Sequence, residues 1–274
     1  MVSPFYRMML VDDNGLTYGV KHVENKIRVS SMPYLYDIAE GNVAGHEAFR
    51  LLGYNGAVGT TLEDLWSVGG SYVFPAVAQR MEVISSSADD DGDPVGTGVR
   101  TVMIHYLDDT YAEQTEEVTL NGITAVATTA DNILRVNELH TATVGTGGGV
   151  AGNIDIRHLS DTPIYGRIPV GENNSLDANW TVPLGKTAYI VCWSVGSAGG
   201  NKDTRFLLET TSDLSGVLRP GLFIHQDVAI VEDSALHLPF YIPIKVPATA
   251  DVKISVISAA NAAIASAHIE GWIE

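Results

Sequence analysis

The sequence is poor in the residue types on which most enzyme chemistry depends. It has one cysteine, Cys192, in the apolar run AYIVCWSV. A disulfide within the chain is therefore excluded, and a thiolate metal site is not expected. An apolar, strand-like setting makes Cys192 a buried, inert thiol. Lysine and arginine number 16 against 33 acids, for a net charge of −17. Nucleic-acid binding needs clustered basic residues. The densest basic run here, KHVENKIR, carries an acid of its own, so no direct contact with DNA or RNA is expected. No apolar run reaches the roughly 18 residues of a membrane-spanning helix. The N-terminus, MVSPFYRMMLVDDNG, is a poor signal peptide because its short apolar patch runs straight into acids.

Reactive motifs are missing as well. The eight histidines at 22, 46, 105, 140, 158, 225, 237 and 268 form no HxH, HxxxH or HExxH spacing, and zinc needs three or four converging ligands. There is no GxSxG. The segment GTGGGVAGN lacks the Lys-Ser/Thr ending of a phosphate loop and reads as a flexible hairpin loop. Paired carboxylates for glycoside hydrolysis stay open, because their spacing is set in space. Trp66, Trp180, Trp193 and Trp272 are candidates for stacking on sugars, though such residues more often fill a core. No catalysis, cofactor or required metal is expected.

What remains is rich in strand formers and turns. From residue 70 onward the pattern has a period of two, as in QRMEVISSS and VRTVMIHYLD, the latter with bulk on both faces like a central strand. QTEEVTLNGITAV places Asn-Gly between two β-rich runs, a hairpin signal. Turn signals recur at intervals of about 8–12 residues, as in a sandwich or barrel. LPFYIPIKVP carries prolines 239, 243 and 247. Proline cannot donate to a ladder, so this segment reads as an edge strand or as strand ends. SAANAAIASA reads as a loop or one helical turn. The fold class is therefore all-β: two antiparallel sandwich or jelly-roll-like domains over residues 51–165 and 166–274. Residues 1–50 lack either period and carry small apolar clusters. They read as an extended N-terminal arm that lies on a neighbouring chain, or as a tail packed on its own domain.

The sharpest local feature is ADDDGDP, residues 88–94. Asp89, Asp90, Asp91 and Asp93 offer hard oxygen ligands for Ca²⁺, but without the spacing of an EF-hand loop. A solvated acidic turn is the plainer reading, leaving Asp89, Asp91 and Asp93 as weak metal candidates.

GYNGAVGTTLEDLWSVGGSYVFP, the series from MEVISSS through GTGVRTVMIHYLDDTYAEQTEEVTLNG to TTADNILRVNEL, then GNIDIR and WTVPLGKTAYIVCW, resemble a family of β-rich virion structural proteins of tailed bacteriophages. The resemblance spans roughly residues 50–274 and rests on glycine turns and on motifs such as TLNG and VPLGKTAY. It implies a capsid decoration or cement, fibre or tail component without enzymatic activity, placed in the virion, with GYNGAVGTTLEDLW as the hinge from arm to first domain. The acidic DDDGDPVGTG departs from the family's glycine-threonine turn. A tail-associated carbohydrate-binding or depolymerising domain is the alternative.

The charged fraction is 18%, below the ~25% usual for soluble domains. That leaves apolar surface for association. The expected partners are further copies of the chain, with a trimer favoured through the virion resemblance, and the major capsid protein or other virion proteins. The expected contact residues are Phe5, Tyr6, Met8, Tyr34 and Tyr36 in the arm, and Phe240, Tyr241 and Ile242 in the proline-rich strand.

Overall fold

A computed structural model describes residues 34–199 and 202–274 in full, together with the backbone of 9–11 and 17–19. Strand β1 (Met9–Val11) pairs with β2 (Thr17–Gly19). One short helix follows, α1 (Tyr34–Ala39), and the other described elements are strands. These are β3 (Glu47–Val58), β4 (Glu63–Asp64), β5 (Met81–Ser85), β6 (Val99–Asp108), β7 (Glu113–Thr119), β8 (Val126–Ala127), β9 (Ile133–Val144), β10 (Ile154–His158) and β11 (Ile164–Ile168). The chain continues through β12 (Asn179–Thr181), β13 (Ala188–Ala198), β14 (Thr204–Thr210), β15 (Ile224–Val231), β16 (Ala235–Val246), β17 (Asp251–Ser258) and β18 (Ala263–Ile273). The fold class is all-β, and every strand pair is antiparallel.

Two cores organise the strands. The sheets β11-β10-β5-β8 and β7-β6-β9 enclose one. Met81, Val83, Ile154, Ile156 and Ile168 face Val102, Ile104, Val118 and Leu139 there. The sheets β12-β17-β14-β15 and β16-β13-β18-β3 enclose the other, around Trp193, Phe206, Ile254 and Ile269. Strand β6 is central, as its pattern suggests, with Val102, Ile104 and Tyr106 buried and Thr101, Met103 and His105 half-buried on the opposite face.

The expected division at 51–165 and 166–274 is corrected by strand pairing. β3 pairs with β18 from Glu47↔Ile273 to Val58↔Ala263. Leu51, Val58 and Leu65 sit in the second core. The first sandwich, residues 81–168, is thus inserted into a second one built from 47–65 and 178–274. The inward face of β18 carries small residues, Ala263, Ala265, Ala267 and Gly271, and β3 lies beside it as its ladder partner. A Cβ on Gly53 would stand 2.6 Å from Ala178 Cβ, so only glycine lets β3 approach there. GYNGAVGTTLEDLW is accordingly a sheet strand and its turn, not a hinge, and residues 47–50 of the expected arm belong to β3. The alanine-rich SAANAAIASA turns at 259–262 and then enters β18, so its second half is strand.

The Asn-Gly hairpin is corrected too. β7 pairs with β6 and β8 pairs with β5, so Asn121-Gly122 turns the chain from one sheet to the facing one. The turn type was legible, with Thr124 N–H donating to the Asn121 carbonyl and Gly122 at φ +54°, but not the partner. Among the described residues the proline-rich strand β16 does lie at a sheet edge, paired only with β13. No helix among the described residues is long and apolar enough to cross a membrane.

Candidate functional site

A groove of about 560 Å³ runs between the two sandwiches, within the ~300–1,000 Å³ usual for ligand clefts. One wall is the outer face of the first sandwich, with His105 on β6, Glu113 and Thr115 on β7, and Asn137 and Glu138 on β9. The other is β3 from Ala48 to Leu52. Its floor is the link 174–180, which carries Asp177 and Trp180. Phe49 stacks on Trp180 with centroids 5.0 Å apart. That contact occupies one face of the indole. Arg50 is held by Glu270 at 2.7 Å.

Burial pushes the Asp177 carboxyl up to about 6, against N–H bonds from Arg167 and Ser67 that pull it back. Its neighbour Tyr72 is buried, which raises the phenol well above its ordinary value. Its hydroxyl donates to the Tyr165 carbonyl.

At the edge of the groove three potential ligands converge. His105 stands opposite Glu138 in the β6–β9 ladder, and His140 opposite Met103. The period of two puts Glu138 and His140 on one face of β9, and His105 shares that face from β6. The sequence reading missed this group. Its members lie on different strands, and only the ladder register brings position 105 beside 138 and 140.

The aspartate turn behaves differently from a cation loop. Asp90 is fully buried. Its carboxylate accepts from Ser85 Oγ at 2.6 Å, Val99 N at 2.8 Å, Gly152 N at 2.9 Å and Ala151 N at 3.0 Å. Within the glycine-rich segment 145–153, the Ala151 and Gly152 N–H groups therefore close on the chain's own Asp90 side chain. Asp89 is exposed, while Asp91 accepts from the Asp93 N–H in a local turn. Among the described residues, Asp89, Asp91 and Asp93 are not brought into a converging ligand group, whereas His105, Glu138 and His140 are.

The expected contact residues separate into groups. Phe5, Tyr6 and Met8 lie outside the described residues. Tyr34 meets Trp272 of its own chain edge-on at 5.6 Å, and Tyr36 is exposed. In β16, Pro239 pairs with Cys192 and Ile244 with Ile190, so 240–243 bulge out opposite the single residue Val191. Phe240 packs against the core, while Tyr241 and Ile242 are 102% and 79% exposed. Cys192 is buried beside Glu270. Desolvation, then that carboxylate, pushes its thiol up to about 11. Ser194 Oγ and His237 Nδ1 lie 2.8 Å apart at an exposed site.

No protein-family profile matches the chain, and no curated protein sequence does. Among solved structures, PBSX exported protein XepA is similar at 12% identity over 98% of this chain and 100% of that one, with a TM-score of 0.19. Infectious bursal disease virus Gt strain matches at 9% identity over 88% of this chain and 77% of that one, with a TM-score of 0.16. The subviral particle of that virus's VP2 gives 10%, 83%, 72% and 0.17. At these scores the likenesses carry no argument about fold or function.

Proposed function

We propose that this chain is a non-enzymatic structural protein of a tailed-phage virion, a capsid decoration or fibre component that self-associates, with the trimer as its expected form. The observation that carries the reading is the four-residue bulge of β16, which displays Tyr241 and Ile242 on a sheet edge. A bulge next to proline blunts edge-to-edge strand addition. An exposed tyrosine-isoleucine pair then offers side-on apolar packing, the kind of surface that marks an interface. The sequence resemblance to virion proteins supplies the biological setting. The two sandwiches joined by buried polar contacts supply a rigid body suited to it, and the N-terminal arm is the proposed docking element toward the major capsid protein. Sedimentation velocity of the full chain tests the association. A trimer that falls to monomer in Y241S/I242S supports it, and a wild-type monomer across micromolar concentrations overturns it.

The groove favours a second reading, a tail-associated carbohydrate-binding domain. It combines aromatic Trp180 and Phe49 with the carboxylates of Glu113, Glu138 and Asp177. Trp180 is only 8% exposed and already stacked, which leaves little ring face for a sugar and ranks this reading second. A glycan array with the full chain decides it. Binding that E113Q and E138Q weaken supports a glycan site, and no binding removes it.

A further inference from the structure

We infer that His105, Glu138 and His140 form a binding site for one borderline divalent transition ion of the zinc class at the edge of the groove. The ligand atoms of the three side chains lie within 4.8 Å of one another. The two imidazoles lie face to face, centroids 5.0 Å apart and 29° from parallel. The Nδ1 of His140 is sealed from solvent and no hydrogen bond reaches it. The nearest carboxylate oxygen, Glu138 Oε1, is 3.5 Å away, too far for a good hydrogen bond. A buried ring nitrogen without a partner is costly, and native structures seldom leave one so.

A metal ion accounts for the convergence of the three side chains and for the unpartnered nitrogen, and the two imidazoles, now stacked, rotate about their side-chain torsions to aim in-plane nitrogens at it. Two neutral imidazoles and one carboxylate are a standard donor set for Zn²⁺ and its neighbours in the first row. Ca²⁺ and Mg²⁺ prefer all-oxygen sites. Tetrahedral zinc with bonds near ~2.0–2.1 Å sets its ligand atoms roughly 3.4 Å apart. The three side chains therefore need to close by about an ångström, and Glu138, the exposed member, has the freedom to swing in. The backbone needs no rearrangement, because the β6–β9 ladder already fixes the three Cα positions. The β6–β9 ladder that carries the three residues is formed without the ion, so the ion adds to a formed fold and is not needed to make it.

Three protein ligands leave a fourth position open. His105 and Glu138 also line the groove, so that position faces the groove. Water fills it when the groove is free, and an oxygen donor on whatever enters the groove can replace the water. The site stands apart from the virion assignment and from the Asp89–Asp93 turn.

Titration calorimetry of the full chain with zinc chloride, beside visible absorption with Co²⁺, tests the inference. The expected result is one equivalent of Zn²⁺ per chain and a Co²⁺ d–d band of nitrogen-oxygen type in the wild-type protein. H105Q and H140Q should each weaken binding at least tenfold with unchanged far-ultraviolet dichroism, while D89N/D91N/D93N binds as the wild type does. Absence of saturable binding in the wild type overturns the inference. So does undiminished binding in H105Q/H140Q, or loss confined to the aspartate variant. The wild-type Co²⁺ spectrum reads the ligand type directly, so a variant that failed to fold would not leave the question open.

Discussion

Arg135 of β9 and Asp251 of β17 form a two-pronged ion pair that joins one sandwich to the other. Nε lies 2.9 Å from Oδ1 and Nη2 lies 3.3 Å from Oδ2. Both residues are 8% exposed. The remaining guanidinium nitrogen donates to the Pro75 and Leu134 carbonyls, and Thr181 Oγ1 donates to Asp251 at 2.6 Å. Nearby, the Asn137 amide exchanges two hydrogen bonds with the backbone of Thr181. The geometry of the groove depends on this joint, because its two walls belong to different sandwiches.

R135A leaves the Asp251 charge buried without its partner. Removing one member of such a pair costs about 3–5 kcal/mol. Urea unfolding should show a loss of that size. A loss under ~1 kcal/mol would mean that the joint is held by other contacts.

D90N is expected to destabilise the first sandwich by about 2–4 kcal/mol, since charge-assisted hydrogen bonds contribute ~1.5–3 kcal/mol each and are only partly replaced. An amide nitrogen would face N–H donors that now find a carboxylate oxygen. D89N, at the exposed neighbouring position, should stay within ~0.5 kcal/mol. Equal effects at the two positions would contradict the assignment of Asp90 as the residue on which the loops close.

Asp177 makes stability depend on pH in a defined direction. Its carboxyl holds its proton up to about 6 in the fold, against 3.8 ordinarily. Between these values the folded state binds more protons than the unfolded one. The contribution is fully present below about pH 4 and is lost as pH rises toward 6, by up to about 3 kcal/mol at ~1.4 kcal/mol per unit. D177N should remove that slope. The difference between wild type and variant, measured by urea unfolding at about pH 4.5 and 7, should change sign or size across the window. Parallel curves would refute it.

Cys192 should resist thiol reagents in the native protein, because burial and Glu270 hold it protonated at neutral pH. Ellman's reagent should react only after unfolding. Prompt native labelling would contradict its buried placement.

The period-two pattern made the fold class legible, and the proline spacing of β16 placed it at an edge. Strand partners were not legible. β3 and β18 are more than two hundred residues apart, and nothing local in GYNGAVG distinguishes a strand of the first sandwich from one of the second. The Asn-Gly turn was read correctly as a turn and wrongly as a hairpin, because turn chemistry does not specify which sheet receives the next strand. The same limit hid His105 beside Glu138 and His140. It also hid Asp90 within its run of three aspartates, of which only the middle one turns inward to meet the backbone of 151–152.

The proposed role as a tailed-phage virion component is tested most directly by cryo-electron microscopy of phage particles purified from a host that expresses this chain. The expected map contains the two-sandwich body in symmetric copies, with the bulge of Tyr241 and Ile242 buried between neighbours. A particle that lacks the chain, or one in which it stands as isolated monomers with the bulge in solvent, would contradict the structural role proposed for it.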